Sequence, residues 1–349
     1  METLKICIAT YRLYEGNGID ISVIQFAREL AKRHDVTLAA VQADERVKDL
    51  TIKRYPANNP LKMRRVAREI ARQKFDLIST HYPPFDLVAS MSGLPHFLHD
   101  PGVPPASIIR KPSDLYLWSI VNGARLIAAR TAKAVLPISQ YLSKEFRKKY
   151  LYDGPMHVLP YCIDFPEHLP EPAELPFDEY VLFVGRHTPY KGVHKLIDIF
   201  SEINKTRGHD LHLVTIGLGD PGYMEVLRKK AAKTGNVHML GFVPDVWPYY
   251  TGASVYATCS AWEGQDRPAI EAQFAGKPVV AFNNCSHPEV VIYGSLACGD
   301  EDFSRSLANY LDQDKDDKGV KEHVKSLYSA SGMVDNFFSV VRAELSGSG

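Results

Sequence analysis

The chain has 349 residues, 45% hydrophobic and 23% charged, with 41 Lys and Arg balanced by 41 Asp and Glu. That length allows two ordinary domains with their own cores, and the composition is that of a soluble globular protein. No apolar run approaches the roughly 20 residues that span a bilayer, and the opening METLKICIAT lacks a secretory-leader layout, so a cytoplasmic protein is expected. Five scattered cysteines (Cys7, Cys162, Cys259, Cys285, Cys298) form no Cys-x-x-Cys, which argues against a disulfide framework or a zinc site.

The first half alternates short apolar strands with helical patterns. Residues 4–10 read as a strand, 19–32 as a helix and 35–41 as a strand. Residues 61–73 are helical, 76–80 and 95–98 are strands, and a long helix is expected over 114–132. Residues 134–137 are a strand and 140–150 a helix. The second half repeats the logic, with strands at 180–184, 211–216, 237–240, 254–257 and 279–282 and helices between. Continuous apolar strands separated by helices predict parallel sheets covered on both faces, hence two Rossmann-like halves. Residues 166–177, with Pro166, Pro170, Pro172 and Pro176, have the composition of a linker. It would separate domains at 1–165 and 178–331, leaving 332–349 as a C-terminal helix and tail.

Zero net charge hides an asymmetry. Residues 1–165 carry 24 Lys and Arg against 16 Asp and Glu, and the remainder carries 17 against 25. Within the basic half, LKMRRVAREIARQK (61–74) sets Leu61, Val66 and Ile70 as an apolar stripe under Lys62, Arg64, Arg65, Arg68 and Arg72. Packing on the core with a solvated basic face is the default, and peripheral contact with an anionic membrane is the sharper expectation. No nucleic-acid-binding module is recognisable.

Four stretches could carry chemistry. GRHTPYKG (185–192) follows a strand and sets Arg186 and Lys191 where ligands of open α/β sheets bind; two cations there would offset a diphosphate. CSAWEGQDRPAIEAQFAGKPVVAFNNCSHP (259–288) puts Glu263 in a Gly-containing loop and Glu271, separated from it by seven residues, on a helix opened by Pro268. A helix N-terminus suits a phosphate, and two spaced carboxylates suit a ligand with hydroxyls. Read alone, the same stretch is equally a capped helix on a structural loop. YEGNGID (14–20) supplies Gly16 and Gly18, which permit close backbone approach. His99 stands at a strand's carboxyl end, as His81 does. IGLGDPG (216–222) formally matches Gly-x-Gly-x-x-Gly but lacks a well-placed acid about 20 residues on, against a nicotinamide site. Asp312-Gln313-Asp314 lies in an acidic run and reads as a solvated loop.

The 259–288 stretch resembles the paired-glutamate motif of retaining nucleotide-sugar glycosyltransferases with the GT-B fold, the glycogen-synthase-like family 4 group. EGQDRPAIEA, a Gly, PVVAF and PEVV follow the family's order, and GRHTPYKG matches its G-R-x(4)-K-G segment. The resemblance implies two Rossmann-like domains facing each other across a cleft, with the C-terminal helix crossing back onto the first. It implies Arg186 and Lys191 as the diphosphate clamp, Glu263 orienting the donor sugar, and His99 rather than His81 touching it. Glu271, Pro268, Gly16, Gly18, Gly217, Phe242, Val243 and the loop Gly264, Gln265 and Asp266 would bind the donor. Gln265-Asp266 departs from the family's Phe-Gly, which puts the sugar's identity in doubt. The implied activity is transfer of a sugar from a nucleotide-diphosphate sugar to a carbohydrate, lipid-linked or small-molecule hydroxyl, with no cofactor and no metal. A phosphorylase or sugar-phosphate synthase on the same fold, or a non-catalytic nucleotide-sugar-binding homologue, are the alternatives.

Overall fold

The structure is a computed structural model that describes residues 3–14, 18–44, 47–57, 59–109, 111–206, 211–312 and 319–346. Two compact units divide it: Met1–Asp164 with Tyr328–Gly349, and Phe165–Leu327.

In the first unit the order is β1 (Lys5–Leu13), α1 (Gly18–Ala31), β2 (Asp35–Ala43), β3 (Thr51–Arg54), α2 (Pro60–Arg72), β4 (Leu77–Thr80) and α3 (Phe85–Ser92). It continues with β5 (His96–Asp100), α4 (Pro112–Ala129), β6 (Ala134–Pro137) and α5 (Gln140–Tyr150). The six strands form one parallel sheet in the order β3-β2-β1-β4-β5-β6. Chain direction across the sheet reverses between β1 and β4, the doubly wound arrangement. Ile6, Cys7, Ile8 and Ala9 of β1 are all buried, as a strand covered on both faces requires.

The second unit runs β7 (Tyr180–Val184), α6 (Val193–Thr206), β8 (His212–Ile216), α7 (Pro221–Thr234), β9 (Val237–Gly241) and α8 (Trp247–Gly252). Then come β10 (Val255–Thr258), α9 (Arg267–Phe274), β11 (Val279–Phe282), α10 (His287–Val290), β12 (Gly294–Ala297), α11 (Asp300–Asp312) and α12 (Val320–Tyr328). Its parallel sheet has the order β12-β11-β10-β7-β8-β9, the same winding, with the reversal between β7 and β10. Phe183, Phe200, Leu213, Val255 and Phe303 lie in its core. Phe165, at the start of the proline-rich stretch, stacks on Phe274 at 4.3 Å within this unit. The fold is GT-B.

The last helix, α13 (Ala330–Ser346), belongs to the first unit. Phe337 packs edge-on against Phe26 at 5.3 Å and against Phe97 at 5.6 Å, and Asp335 pairs with Arg33 at 3.0 Å.

Three elements differ from the sequence expectation. Thr51–Arg54 and Gly294–Ala297 are edge strands without an apolar run, held by β2 and β11 respectively. Phe85–Ser92 is a short helix behind Pro83-Pro84, in a segment where no element was expected. On α2 the buried stripe is Val66, Ala67 and Ile70, and Leu61 is 79% exposed instead of lying under the basic face. Asn59 caps that helix by accepting from the Lys62 amide at 2.9 Å.

Candidate functional site

Arg186, Lys191 and the stretch from Glu263 to Glu271 lie where the second unit's sheet reverses direction, while Gly217, Phe242 and Val243 follow β8 and the edge strand β9. At such a point two neighbouring strands send their connections to opposite faces and leave a crevice at their carboxyl ends. Here those strands are β7 and β10. The connection after β7 carries Arg186 and Lys191, and that after β10 carries Glu263 through Glu271.

Backbone contacts bind the two connections together. Ala261 N donates to Tyr190 O at 2.7 Å. Gly192 has φ +69°, and a Cβ there would lie 2.2 Å from Cys259 O, so only glycine lets the segments touch. Asn284, after β11, donates its amide to Ser260 O at 3.2 Å. The loop bearing Glu263 is thus held on two sides.

Across this junction Lys191 Nζ lies 2.5 Å from Glu263 Oε1. Burial opposes the ammonium, but Glu263, Asp266 and Tyr190 outweigh it and raise the Lys191 pKa. Burial pushes the Glu263 carboxyl up, with Lys191 opposing. At that separation the pair is ionic. Arg186 is exposed, and its Nη2 donates to Tyr190 Oη at 3.2 Å. One cation is therefore fixed by a carboxylate while the other faces solvent.

The α9 N-terminus is built differently from an open phosphate site. Asp266 is its N-cap, with Oδ1 accepting from Ala269 N at 3.4 Å, and Pro268 has no amide hydrogen to offer. Asp266 Oδ2 meets His287 Nε2 at 3.1 Å with both side chains buried. Burial opposes both charges. The hydrogen bond and the His287 charge nonetheless hold the Asp266 carboxyl below its usual range. The Asp266 contact and the neighbouring Cys285 raise His287 to about 10. A buried carboxylate–imidazolium pair thus stands where the helix dipole alone would have drawn an anion. The anion-binding capacity of this junction lies with the two cations. Asp266 was expected at the site from the sequence; its partner His287, 21 residues away, was not.

Glu271 sits one turn into α9, 7% exposed, with both oxygens engaged. Arg267 Nε donates to Oε1 at 2.7 Å and Tyr250 Oη donates to Oε2 at 2.9 Å. Burial, with the Glu271 charge, holds the Tyr250 phenol well above its usual value, so it stays a donor. Neither partner was expected: Arg267 stands at i,i+4 spacing from Glu271, a signal that could have found it, whereas Tyr250 comes from another helix.

Gly264 is buried and Gln265 half-buried beside Glu263. At the end of β8, Gly217 has φ +142°, and a Cβ on it would lie 2.0 Å from Gly185 O. Its amide donates to Gly241 O at 2.7 Å, drawing the ends of β7, β8 and β9 together. Phe242, just past β9, is 62% exposed, and Val243 is half-buried.

In the first unit Gly18 opens α1, with its carbonyl accepting from Ser22 Oγ at 3.1 Å; Gly16 lies outside the described residues. His99 is a residue of β5, which runs on to Asp100 through pairing with Pro137. Its ring is fully buried, stacked on His81 at 4.1 Å and flanked by Phe26 and Phe337. Burial lowers its pKa to about 3, so the imidazole is neutral. His81 bonds Ser79 Oγ at 3.1 Å and Tyr161 Oη at 2.9 Å. Nearby, Arg125 of α4 pairs with Asp100, both buried, a pair the sequence did not suggest. Among the described residues no group of three or more His, Cys, Asp or Glu is placed to hold a metal ion. Asp312 ends α11, and Gln313 and Asp314 lie outside the described residues.

Comparison with known proteins follows the same division. The family profile described as Glycosyl transferases group 1 matches residues 165–327, and that of Glycosyltransferase Family 4 matches 16–165. The O-antigen chain mannosyltransferase B of Escherichia coli is 26% identical over 201 residues, 54% of this chain and 53% of that protein. The chain therefore spans about half the length of that relative. Among solved structures, Anabaena Alr3699/HepE in complex with UDP and glucose superposes with a TM-score of 0.75 at 18% identity. That likeness covers 97% of this chain and all of the other (100%). Sucrose-phosphate synthase from Thermosynechococcus elongatus gives 0.77 at 17% identity, over 99% and 100% of the two chains.

Proposed function

The chain belongs to the Glycosyl transferases group 1 family, and we propose that it moves a sugar from a nucleotide-diphosphate sugar to an acceptor hydroxyl with retention of configuration. The observation that supports this reading most is the Lys191–Glu263 pair, which joins the two connections at the switch point of the second sheet, with Arg186 on one connection and Glu271 on the helix that follows the other. Arg186 and Lys191 take up the charge that grows on the departing diphosphate. Each such preorganised contact is worth about 10²-fold in rate. Glu271, oriented by Tyr250 and Arg267, accepts from the ribose hydroxyls. Glu263 orients the donor sugar, and Phe242 and Val243 adjoin the base; His99, expected from the sequence as a sugar contact, has its ring fully buried in the first unit and is given no such role.

Glu263 is tied to Lys191 and Asp266 to His287, so neither buried carboxylate is an unengaged nucleophile. That favours attack on the same face from which the diphosphate leaves, the leaving phosphate oxygen taking the acceptor's proton. The acceptor is a carbohydrate, a lipid-linked sugar or a small molecule. UDP and glucose are bound in the Anabaena structure, so UDP-sugars are the first donors to try.

A thermal-shift panel of UDP, GDP, ADP and their sugar conjugates tests the donor assignment on wild type and Glu271→Ala. A ligand at 100 times its Kd adds about 2.7 kcal/mol of stability. A shift with one nucleotide series, weakened in Glu271→Ala, supports the reading. No shift with any of them overturns it.

A further inference from the structure

A surface helix of a globular protein turns its apolar side to the core and its polar side to water. Helix α4 breaks that rule. Val121, Ala124, Arg125, Ala128 and Ala129 make its buried face. At 100° per residue, the line opposite Arg125 runs through Tyr116, Ile120, Gly123 and Ile127. Tyr116 is 68% exposed, Ile120 47% and Ile127 56%, and Leu115, Leu117 and Leu126 flank them, also exposed. A Cβ at Gly123 would meet nothing within 4 Å, so packing gives no reason for a glycine there. The first turns protrude, since residues 112–117 are exposed on every side. Single exposed leucines are ordinary, but an apolar band along one helix is the mark of a binding surface.

Charge says what covers it. Among exposed charged side chains on α4 and α5, the acids are Asp114 and Glu145. Opposing them are Lys144, Arg147, Lys148 and Lys149 on α5. Lys149 reaches α4 directly, its Nζ lying 4.7 Å over the Trp118 ring. Along the same layer α4 packs on α3 and α3 on α2, whose exposed Lys62, Arg64, Arg65 and Arg68 extend the basic field. Exposed leucine, isoleucine and tyrosine bordered by lysine and arginine fit the boundary between acyl chains and anionic headgroups. No helix among the described residues is long and apolar enough to cross a membrane, so the contact would lie in the interface plane.

We propose that the outward face of α4, with Tyr116, Ile120 and Ile127 along it, docks the chain onto a bilayer containing anionic lipid. This relocates the membrane contact from α2, whose apolar stripe is buried, to a helix whose apolar stripe is not. The inference is independent of the sugar-transfer reading, and its test needs no donor.

Flotation of the full chain with phosphatidylcholine vesicles, and with vesicles part-replaced by phosphatidylglycerol, reads the binding. Wild type should float with the phosphatidylglycerol vesicles and lose binding as salt rises. Ile120→Ser/Ile127→Ser should lower partitioning about tenfold per side chain, and Tyr116→Ser, at a still more exposed position, about as much. Lys148→Glu should weaken binding to the anionic vesicles alone. Unchanged circular dichroism and thermal midpoint show that each variant is folded. The proposal fails if wild type does not float, or if the α4 variants float as wild type does. It fails equally if wild type sediments as a dimer that Ile120→Ser/Ile127→Ser dissociates, without vesicle binding; the face would then join two copies.

Discussion

The phenol of Tyr250 donates to Glu271 Oε2 at 2.9 Å, so a residue of α8 decides where the carboxylate of α9 points. Tyr250 is fully buried and its ring adjoins Trp247, which makes it a support for Glu271 and not a ligand contact. Tyr250→Phe keeps the packing and removes one donor to a carboxylate, an interaction worth about 1.5–3 kcal/mol. Titration calorimetry should show nucleotide binding weakened up to about tenfold, 1.4 kcal/mol being one decade. Unaltered affinity would mean that Glu271 does not depend on Tyr250 for its aim.

Lys191 and Glu263 carry a second prediction, because each leaves the other stranded. Their side chains are only 15% and 8% exposed. Lys191→Met leaves a buried carboxylate without its cation and should cost about 3–5 kcal/mol in a urea melt. Lys191→Met/Glu263→Gln removes both charges and should recover part of that loss, a coupling of about 0.5–3 kcal/mol. Turnover should fall about 10²-fold or more in the single variant and stay low in the double. Recovery of turnover along with stability would make the pair structural only.

How much of this was legible in the sequence depends on distance along the chain. Arg186 and Lys191 could be placed because a strand ends at Val184 and ligands of such sheets meet strand ends. Arg267 and Glu271 could have been paired because four residues make one helical turn. Tyr250–Glu271 and Asp266–His287 each join groups 21 residues apart on separate helices, and nothing local announces them. The edge strands Thr51–Arg54 and Gly294–Ala297 escaped notice because an edge takes its order from its neighbour's backbone and needs no apolar run. His99 read as a strand-end residue because Asp100 and Pro101 look like a break. Pairing with β6 carries the strand through Asp100 and leaves the ring in the core.

Asp266 and His287 should shape stability in alkaline solution. The folded His287 is raised to about 10 from an ordinary 6.5. Its contribution is therefore whole below about pH 6.5 and is lost as pH rises through about 10. Asp266 has the opposite sense: held below its usual value, it stabilises above the ordinary carboxylate range and stops doing so in strong acid. Between pH 7 and 10 the imidazolium should contribute a downward slope of up to about 1.4 kcal/mol per pH unit. Asp266→Asn should flatten that limb relative to wild type in urea melts at fixed pH. Parallel alkaline limbs in the two proteins would refute the ionic assignment.

His99 gives the matching prediction in acid. Its folded pKa is lowered to about 3 by burial, while in the unfolded chain it titrates near 6.5. Below about pH 6.5 the unfolded state takes up a proton that the folded state refuses, so stability falls from there down to about pH 3. His187, lowered to about 4 by burial, acts in the same direction in the second unit. His99→Gln removes one of these titrations and should make the acid limb shallower by up to about 1.4 kcal/mol per pH unit. The same neutrality bears on chemistry, since a ring that refuses protons until about pH 3 cannot serve as a general acid near pH 7. An imidazole NMR resonance for His99 that stays at its neutral position from pH 8 down to 5 would agree with both statements. A resonance that titrates near 6.5 would overturn them, and would require the ring to leave its stack on His81.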